Sequence, residues 1–142
     1  MRPRNQLIIA RLILEKDDFI LLLKRPKFKG GNYSMVGGLV EVTESVRQAL
    51  IRETYEEIGV KIKKKDLEMV HVAHRRKDGF SVLHIFFRTS TWLGEIVNRE
   101  PEKCSKLKWF HKDALPLKIA PTAAAALVAY RSGLSYSEVE WG

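Results

Sequence analysis

The sequence predicts an α/β fold in which a β-sheet is sandwiched between helices. Three observations predict it. Apolar, β-branched runs of strand length recur between residues 7 and 110. A helix in the middle of the chain carries boundary signals at both ends, and a second opens at Pro121. The 142 residues hold no internal repeat, low-complexity tract or linker, so a single domain over 1–142 is expected, long enough to bury a core unaided.

Residues 7–14 (LIIARLIL) and 19–24 (FILLLK) read as two strands around the polar turn Glu15-Lys16-Asp17-Asp18. Residues 25–32 (RPKFKGGN) form a loop on composition and lead to the pair Gly37-Gly38. Ser45 is an N-cap and Gln48, three residues on, completes a capping box; Gly59 stands where a helix C-cap belongs. On that helix Ile51, Tyr55 and Ile58 are expected to face the core. Residues 60–62 read as a short strand before the basic run Lys63-Lys64-Lys65. Residues 67–74 and 80–88 form two strands joined at Lys77-Asp78-Gly79, a good hairpin turn. Residues 91–97 read as another short strand, 98–103 as a polar loop and 107–110 as a late strand. Pro121 fits a helix first turn, the alanines carry that helix to about Ser132 and Gly133 stops it. The tail, 134–142, reads as irregular.

The chemistry is concentrated on the central helix. Glu53, Glu56 and Glu57 stand at i, i+3 and i+4, which puts three carboxylates on one face. Like charges at this spacing repel by roughly 0.2–0.5 kcal/mol per pair, and Arg52 relieves only part of that. A hard divalent ion would turn the repulsion into coordination, because carboxylate oxygens suit Mg²⁺ or Mn²⁺. Taken alone, such a cluster more often marks a solvated acidic helix face. Here it comes with a Gly-Gly turn ahead of it, Glu44 at the helix entrance and Arg52 directly before Glu53.

Read from Gly38, these residues spell G-x5-E-x7-R-E-x-x-E-E-x-G-V. The stretch resembles the Nudix box of the Nudix (MutT-like) hydrolases. Gly38, Glu44, Arg52, Glu53, Glu56, Glu57, Gly59 and Val60 all fit, and Thr54 departs where the family has an aliphatic residue. Upstream, Tyr33-Ser34-Met35-Val36 stands where many members read W-x-x-P, so the proline is lost. The W-x-G-E of residues 92–95 and the strand 107–110 also look like MutT-like members.

The resemblance implies a Nudix-type α/β/α sandwich with a mixed β-sheet. It further implies a Mg²⁺-dependent (Mn²⁺ as substitute) phosphoanhydride hydrolase. Glu53, Glu56 and Glu57 would bind metal, with the Gly37 carbonyl as a further ligand, and Glu53 would act as general base or hold the attacking water. Arg52 would orient Glu53. Glu44 would bond across the loop or favour the helix N-terminus, a structural role shared with Gly38 and Gly59. Some members draw another ligand from a later loop, for which Glu100 is the candidate, with Glu95 behind it; a solvated loop glutamate is the competing reading. Arg25, Lys27 and Lys29 would meet phosphates or face water, and Tyr33 and Phe28 would stack on a base or pack in the core. Neither a proline nor a tyrosine occurs between Val60 and Lys77, and the pyridine-dinucleotide motif is absent, so the subgroup markers for ADP-ribose, diadenosine polyphosphate and dinucleotide hydrolases are missing. The remaining reading is a hydrolase of a nucleoside diphosphate linked to another moiety. The favoured form is a (d)NTP pyrophosphohydrolase that releases (d)NMP and pyrophosphate, oxidised nucleotides included. The competing readings are a nucleotide- or RNA-binding module without turnover, a hydrolase of nucleotide sugars or dinucleotides, and an RNA-decapping enzyme.

Composition bounds the partners. A net charge of +8 favours polyanions, although such a charge also serves solubility. A nucleotide-type small molecule is the expected partner, and stable nucleic-acid binding is the lesser expectation; the protein is expected as a monomer or homodimer. No apolar run approaches the ~20 residues of a membrane span, and the basic N-terminus, whose following apolar segment is broken by Arg11, reads as a first strand and not a signal peptide. Cys104 is the only cysteine, which excludes an intrachain disulfide and points to a reducing, cytoplasmic setting. His71 and His74, three apart on a strand, are expected on opposite faces, and no zinc site is expected.

Overall fold

The computed structural model describes residues 5–141; the basic residues 1–4 and Gly142 lie outside the described part, as do the ends of the expected domain. The strands are β1 (Gln6–Lys16), β2 (Phe19–Lys24), β3 (Tyr33–Ser34), β4 (Val36–Leu39), β5 (Glu68–Lys77), β6 (Phe80–Thr89), β7 (Lys106–His111) and β8 (Tyr136–Val139). Two helices, α1 (Val46–Ile58) and α2 (Pro121–Arg131), complete the α/β fold with single 3₁₀ turns at Lys27–Lys29 and Lys64–Asp66. The sheet is mixed, in the order β3-β2-β1-β6-β5-β8, with β4 paired to β1 and β7 to β2. β1 runs parallel to β6 and β5 parallel to β8, whereas the other pairs are antiparallel.

The apolar runs are continuous because both sheet faces are covered. Successive side chains alternate between two cores. Ala10, Leu12, Leu14, Leu21 and Phe87 pack with Leu50 and Ile58 of α1. Ile13, Ile20, Leu22, Ala73 and Phe86 pack with Ala123, Ala126 and Leu127 of α2. The tight turns follow their residues. Asp17 and Asp18 take φ of 50° and 68°, and Asp78 and Gly79 take 50° and 81°, the paired positive values that match strand twist in a two-residue hairpin.

Helix α1 begins and ends as its sequence dictates. Ser45 accepts from the Gln48 N–H at 3.1 Å, and the Ser45 N–H donates to Gln48 Oε1 at 2.8 Å. Gly59, at φ 76°, closes the helix by donating to the Tyr55 carbonyl. Of its expected inward stripe, Ile58 is buried and Ile51 packs partly buried against the core, and Tyr55 alone departs. Leu50, Thr54 and Ile58 are buried, while Tyr55 is exposed beneath the Arg99 guanidinium, 4.7 Å from the ring centroid. The helix is rolled so that its glutamates approach β4, and this roll carries Tyr55 outward.

Two further expectations fail. Residues 91–97 form no strand: Leu93 makes one isolated bridge to Lys61, which is also all that residues 60–62 contribute. The backbone beyond is spent on the end of α1, where Val97 N–H donates to the Ile58 carbonyl and Arg99 N–H to that of Glu57, both at 3.0 Å. The tail is partly ordered as β8, because β5 offers it a free edge in parallel register from Val72↔Tyr136 to Arg75↔Val139. Among the described residues no helix is long and apolar enough to cross a membrane.

Candidate active site

The glycine pair is what brings the acidic helix against the sheet. Gly37, at φ 145°, pairs with Arg11 on β1, and a Cβ there would lie 1.9 Å from the Ala10 carbonyl oxygen. Its N–H donates to Glu57 Oε2 at 2.9 Å. A Cβ on Gly38 would lie 2.6 Å from Glu53 Cδ. The Glu53 carboxylate therefore rests directly on backbone that only glycine leaves open.

Arg52 ties the charges together. Its Nε and Nη2 donate to the two oxygens of Glu44 at 3.1 and 2.7 Å, and its Nη1 to Glu53 at 3.0 Å and Glu56 at 3.3 Å. Glu44 also accepts from the Glu41 N–H at 2.9 Å, so it clamps both the loop and Arg52. The Arg52 bond holds the Glu44 carboxyl below its usual pKa. Burial acts the other way on its neighbours: it raises Glu53 in spite of the Arg52 bond, and it pushes Glu57 up to about 8 in spite of the Gly37 bond. Glu56 stands half exposed at the rim.

Glu100 reaches this cluster through the Val97–Arg99 contacts with the end of α1. It shares a small cavity with Glu57, Lys103 and Cys104, and its charge bears on both Glu53 and Glu57. Its carboxylate meets Lys103 at 3.5 Å. Among the described residues no three carboxylate, histidine or thiol side chains yet converge on a common point that would hold an ion. The donors nevertheless fit a hard divalent cation. They are carboxylate oxygens, two of them desolvated beside like charges, and such a set is relieved by a cation more than by further burial.

Beside the acidic cluster, on the sheet face that α2 covers only in part, lies a cleft of about 340 Å³. Leu7, Ile9 and Arg11 of β1 line it with Val82, His84 and Phe86 of β6 and Arg75 and Lys77 of β5. Arg25 and Ser34 stand at the junction with a second hollow that contains Glu57, Lys29 and Lys103. Arg11 is partly buried at that junction; its Nη1 donates to the Met35 carbonyl at 3.2 Å, and desolvation lowers its pKa. The cleft thus runs from an apolar and polar floor, past arginines, to the carboxylates.

Of the residues expected near a substrate, Arg25 lines the cleft and Lys27 sits exposed on the 3₁₀ turn away from it. Tyr33 is corrected: it is only 9% exposed and packs edge-on against Phe110 at 4.9 Å, so its ring is core and not a stacking platform. Sequence reasoning passed over Arg11, Arg75, His84 and Thr122. Each left a trace, notably Arg11 as the one charge inside LIIARLIL and His84 on the same alternating face as Val82 and Phe86.

The family profile described as the NUDIX domain matches residues 4–130. The NAD-capped RNA hydrolase NudC of Pseudomonas aeruginosa (strain LESB58) is 33% identical over 105 residues, which cover 74% of this chain and 36% of that protein. The NudC of Escherichia coli (strain SMS-3-5 / SECEC) is 30% identical over 128 residues, 89% of this chain and 48% of that one. The chain therefore spans less than half the length of these curated relatives. Among solved structures, the MutT NUDIX hydrolase from Burkholderia pseudomallei superposes with a TM-score of 0.78 at 26% identity, covering 87% of this chain and 96% of that one. The E. coli ORF135 protein does so with a TM-score of 0.79 at 28% identity, over 91% of each chain.

Proposed function

The chain belongs to the Nudix family, and on that footing we propose that it hydrolyses the phosphoanhydride of a nucleoside diphosphate linked to another moiety, with nucleoside triphosphates, oxidised ones included, as its preferred substrates. The observation that carries this reading is the continuity between the cleft and the acidic cluster, joined at Arg11, Arg25 and Ser34. A base and sugar fit the cleft, the phosphates would meet the arginines, and the scissile link would reach the glutamates.

Glu53, Glu56 and Glu57, with the Gly37 carbonyl and Glu100, would hold a divalent ion, Mg²⁺ by preference and Mn²⁺ as substitute. When bound, such an ion neutralises phosphate charge and acidifies a coordinated water. Glu53 is the residue to take the proton from the attacking water, because Arg52 fixes its carboxylate while burial raises its basicity. Arg52, held by Glu44, would position that carboxylate. A binder without turnover has no use for two half-buried glutamates placed side by side, which favours the enzyme. A reducing, cytoplasmic setting accords with a lone buried thiol, Cys104.

One observation favours a second substrate, a nucleotide-capped RNA end, as the names of the NudC relatives also would. Phe28 is 79% exposed between Lys27 and Lys29, and an exposed ring between cations is a stacking platform for single-stranded nucleic acid. The deciding experiment incubates the protein, with and without Mg²⁺, with nucleoside triphosphates, nucleotide sugars, dinucleotides and capped RNA, and identifies the products. Metal-dependent release of mononucleotide and pyrophosphate is expected. No metal-dependent cleavage of any of them would refute the hydrolase, and cleavage confined to capped RNA would replace the preferred substrate.

A further inference from the structure

Buried polar side-chain atoms without a hydrogen-bond partner are rare in folded proteins, and they invite explanation one by one. Four occur among the described residues: Thr54 Oγ1, Arg75 Nε, His84 Nδ1 and Thr122 Oγ1. Three of the four belong to residues that line one cleft. His84 and Thr122 are 6% and 4% exposed, so solvent at the protein surface does not reach them freely.

The sheet register explains how they come together. His84 of β6 lies opposite Ala73 of β5, and Arg75 lies opposite Val82. Arg75 and His84 are thus diagonal neighbours on one face, about 7 Å apart at Cβ. Thr122, in the first turn of α2, closes over that face with Ala120 and Ala123. Arg75 is held from outside by Glu140, which takes its Nη2 at 3.1 Å and leaves Nε–H without a partner. Burial beside Arg11, Arg75 and Lys77 keeps His84 neutral, so its ring can donate or accept. A threonine hydroxyl is equally adaptable.

We propose that Arg75, His84 and Thr122 are the specificity-determining residues of this protein and read the acceptor edge of a nucleobase, a carbonyl oxygen beside a ring nitrogen, in preference to an edge bearing an amino group. The inference rests on the nucleotide-hydrolase reading above and names the base which that reading leaves open. Arg75 Nε–H can only donate, and it belongs to a cation. A base that presents O6 and N7 satisfies it and leaves a second acceptor for His84 or Thr122. Adenine sets its N6 amino group where the carbonyl would be, and that group is a second donor facing a donor. The apolar walls, Val82 and Phe86 among them, take the faces of a ring without choosing between bases. Selectivity therefore falls to the three polar atoms.

The test is binding without metal or turnover. GMP, IMP and AMP are titrated in EDTA, and the wild-type protein is compared with Thr122→Val and His84→Gln. GMP and IMP are expected to bind at least tenfold tighter than AMP to the wild type, since IMP shares O6 and N7 but lacks the 2-amino group. Thr122→Val should lower that ratio threefold or more while leaving AMP affinity and the melting temperature unchanged or raised. His84→Gln, which keeps a donor and an acceptor, should retain more of the ratio than His84→Leu. Equal binding of the three nucleotides to the wild type, IMP that behaves as AMP, or a ratio unmoved by Thr122→Val and His84→Leu alike would overturn the proposal. Intact selectivity in a protein that hydrolyses no nucleotide would support it and remove only the hydrolase reading.

Discussion

Exchanging Gly38 for alanine tests the site with little effect on the fold, and the same exchange at Gly37 does the reverse. A methyl group on Gly38 would lie 2.6 Å from Glu53 Cδ and 2.7 and 2.9 Å from its oxygens. These atoms end a flexible side chain, so the carboxylate swings aside while the backbone stays. A displacement of about 1 Å at a reacting group lowers turnover by about 10²-fold. The Arg52–Glu53 ion pair goes with it, but both partners are partly solvated, and its loss costs about 1 kcal/mol or less. At Gly37 the obstacle is backbone: the new Cβ would be 1.9 Å from the Ala10 carbonyl oxygen, at a φ of 145° that L residues rarely adopt. The strained dihedral costs about 1–3 kcal/mol, and the parting of β1 from β4 adds about 1 kcal/mol for each ladder bond lost. A loss of about 3 kcal/mol lowers the melting temperature by roughly 10 °C in a domain of this size. Thermal melts and metal-dependent pyrophosphate release, measured on both variants, separate the two effects. A Gly38→Ala protein with more than a third of wild-type turnover, or a Gly37→Ala protein that melts with the wild type, refutes the cradle argument.

Glu53→Gln should lose about 10²-fold or more in turnover with no loss in melting temperature, because it removes a like charge from beside Glu56 and Glu57; near-full activity would strip Glu53 of its role. The stability of the metal-free protein should have two pH limbs. His84 is held down to about 3 against 6.5 unfolded, so the unfolded chain binds the extra proton and stability falls as pH drops from about 6.5 toward 3. Glu57 is held up at about 8 against 4.5, so the folded chain keeps the proton and stability falls as pH rises from about 4.5 through 8. The two slopes, each at most about 1.4 kcal/mol per pH unit, oppose one another between those ranges and leave a plateau near pH 5–6. Denaturant titrations should show His84→Leu flattening the acid limb and Glu57→Gln the alkaline one; a variant with both limbs intact would contradict the assignment. Thr54→Val should raise stability by about 1 kcal/mol in a chemical melt, because its buried hydroxyl has no partner; a loss of stability would mean that the hydroxyl is bonded.

What the sequence made legible was local. The capping box of α1, its glycine stop, the hairpins at Asp17-Asp18 and Asp78-Gly79 and the start of α2 at Pro121 are each decided by residues within one turn of each other. The spacing of Glu53, Glu56 and Glu57 on one helix is of the same kind. The failures all depend on a partner distant in the chain. Residues 91–97 look extended, but whether they form a strand depends on what their N–H groups find, and that of Val97 finds the Ile58 carbonyl at the end of α1. β8 exists because β5, more than sixty residues earlier, has an unpaired edge beside it. The roll of α1 that exposes Tyr55 and buries Thr54 is set by Gly37 and Gly38, which let the glutamates settle on β4.

The polar floor of the cleft follows the same logic. Along β1 and β6 the face that packs on α1 is apolar at Ala10, Leu12, Leu14, Ile85 and Phe87, as a covered sheet requires. The opposite face is apolar at Ile13 and Phe86, under α2, and turns polar at Arg11 and His84, where only the start of α2, at Ala120, Thr122 and Ala123, borders the cleft. A histidine kept neutral and an arginine with its charge partly desolvated lower the stability of the free protein in positions where leucine would raise it. Packing does not account for those two residues, and the hairpin and helix signals around them do not need them. On the reading proposed above, a polar ligand that enters the cleft and meets both of them does, and the carboxylates at its far end would fix which way round that ligand lies.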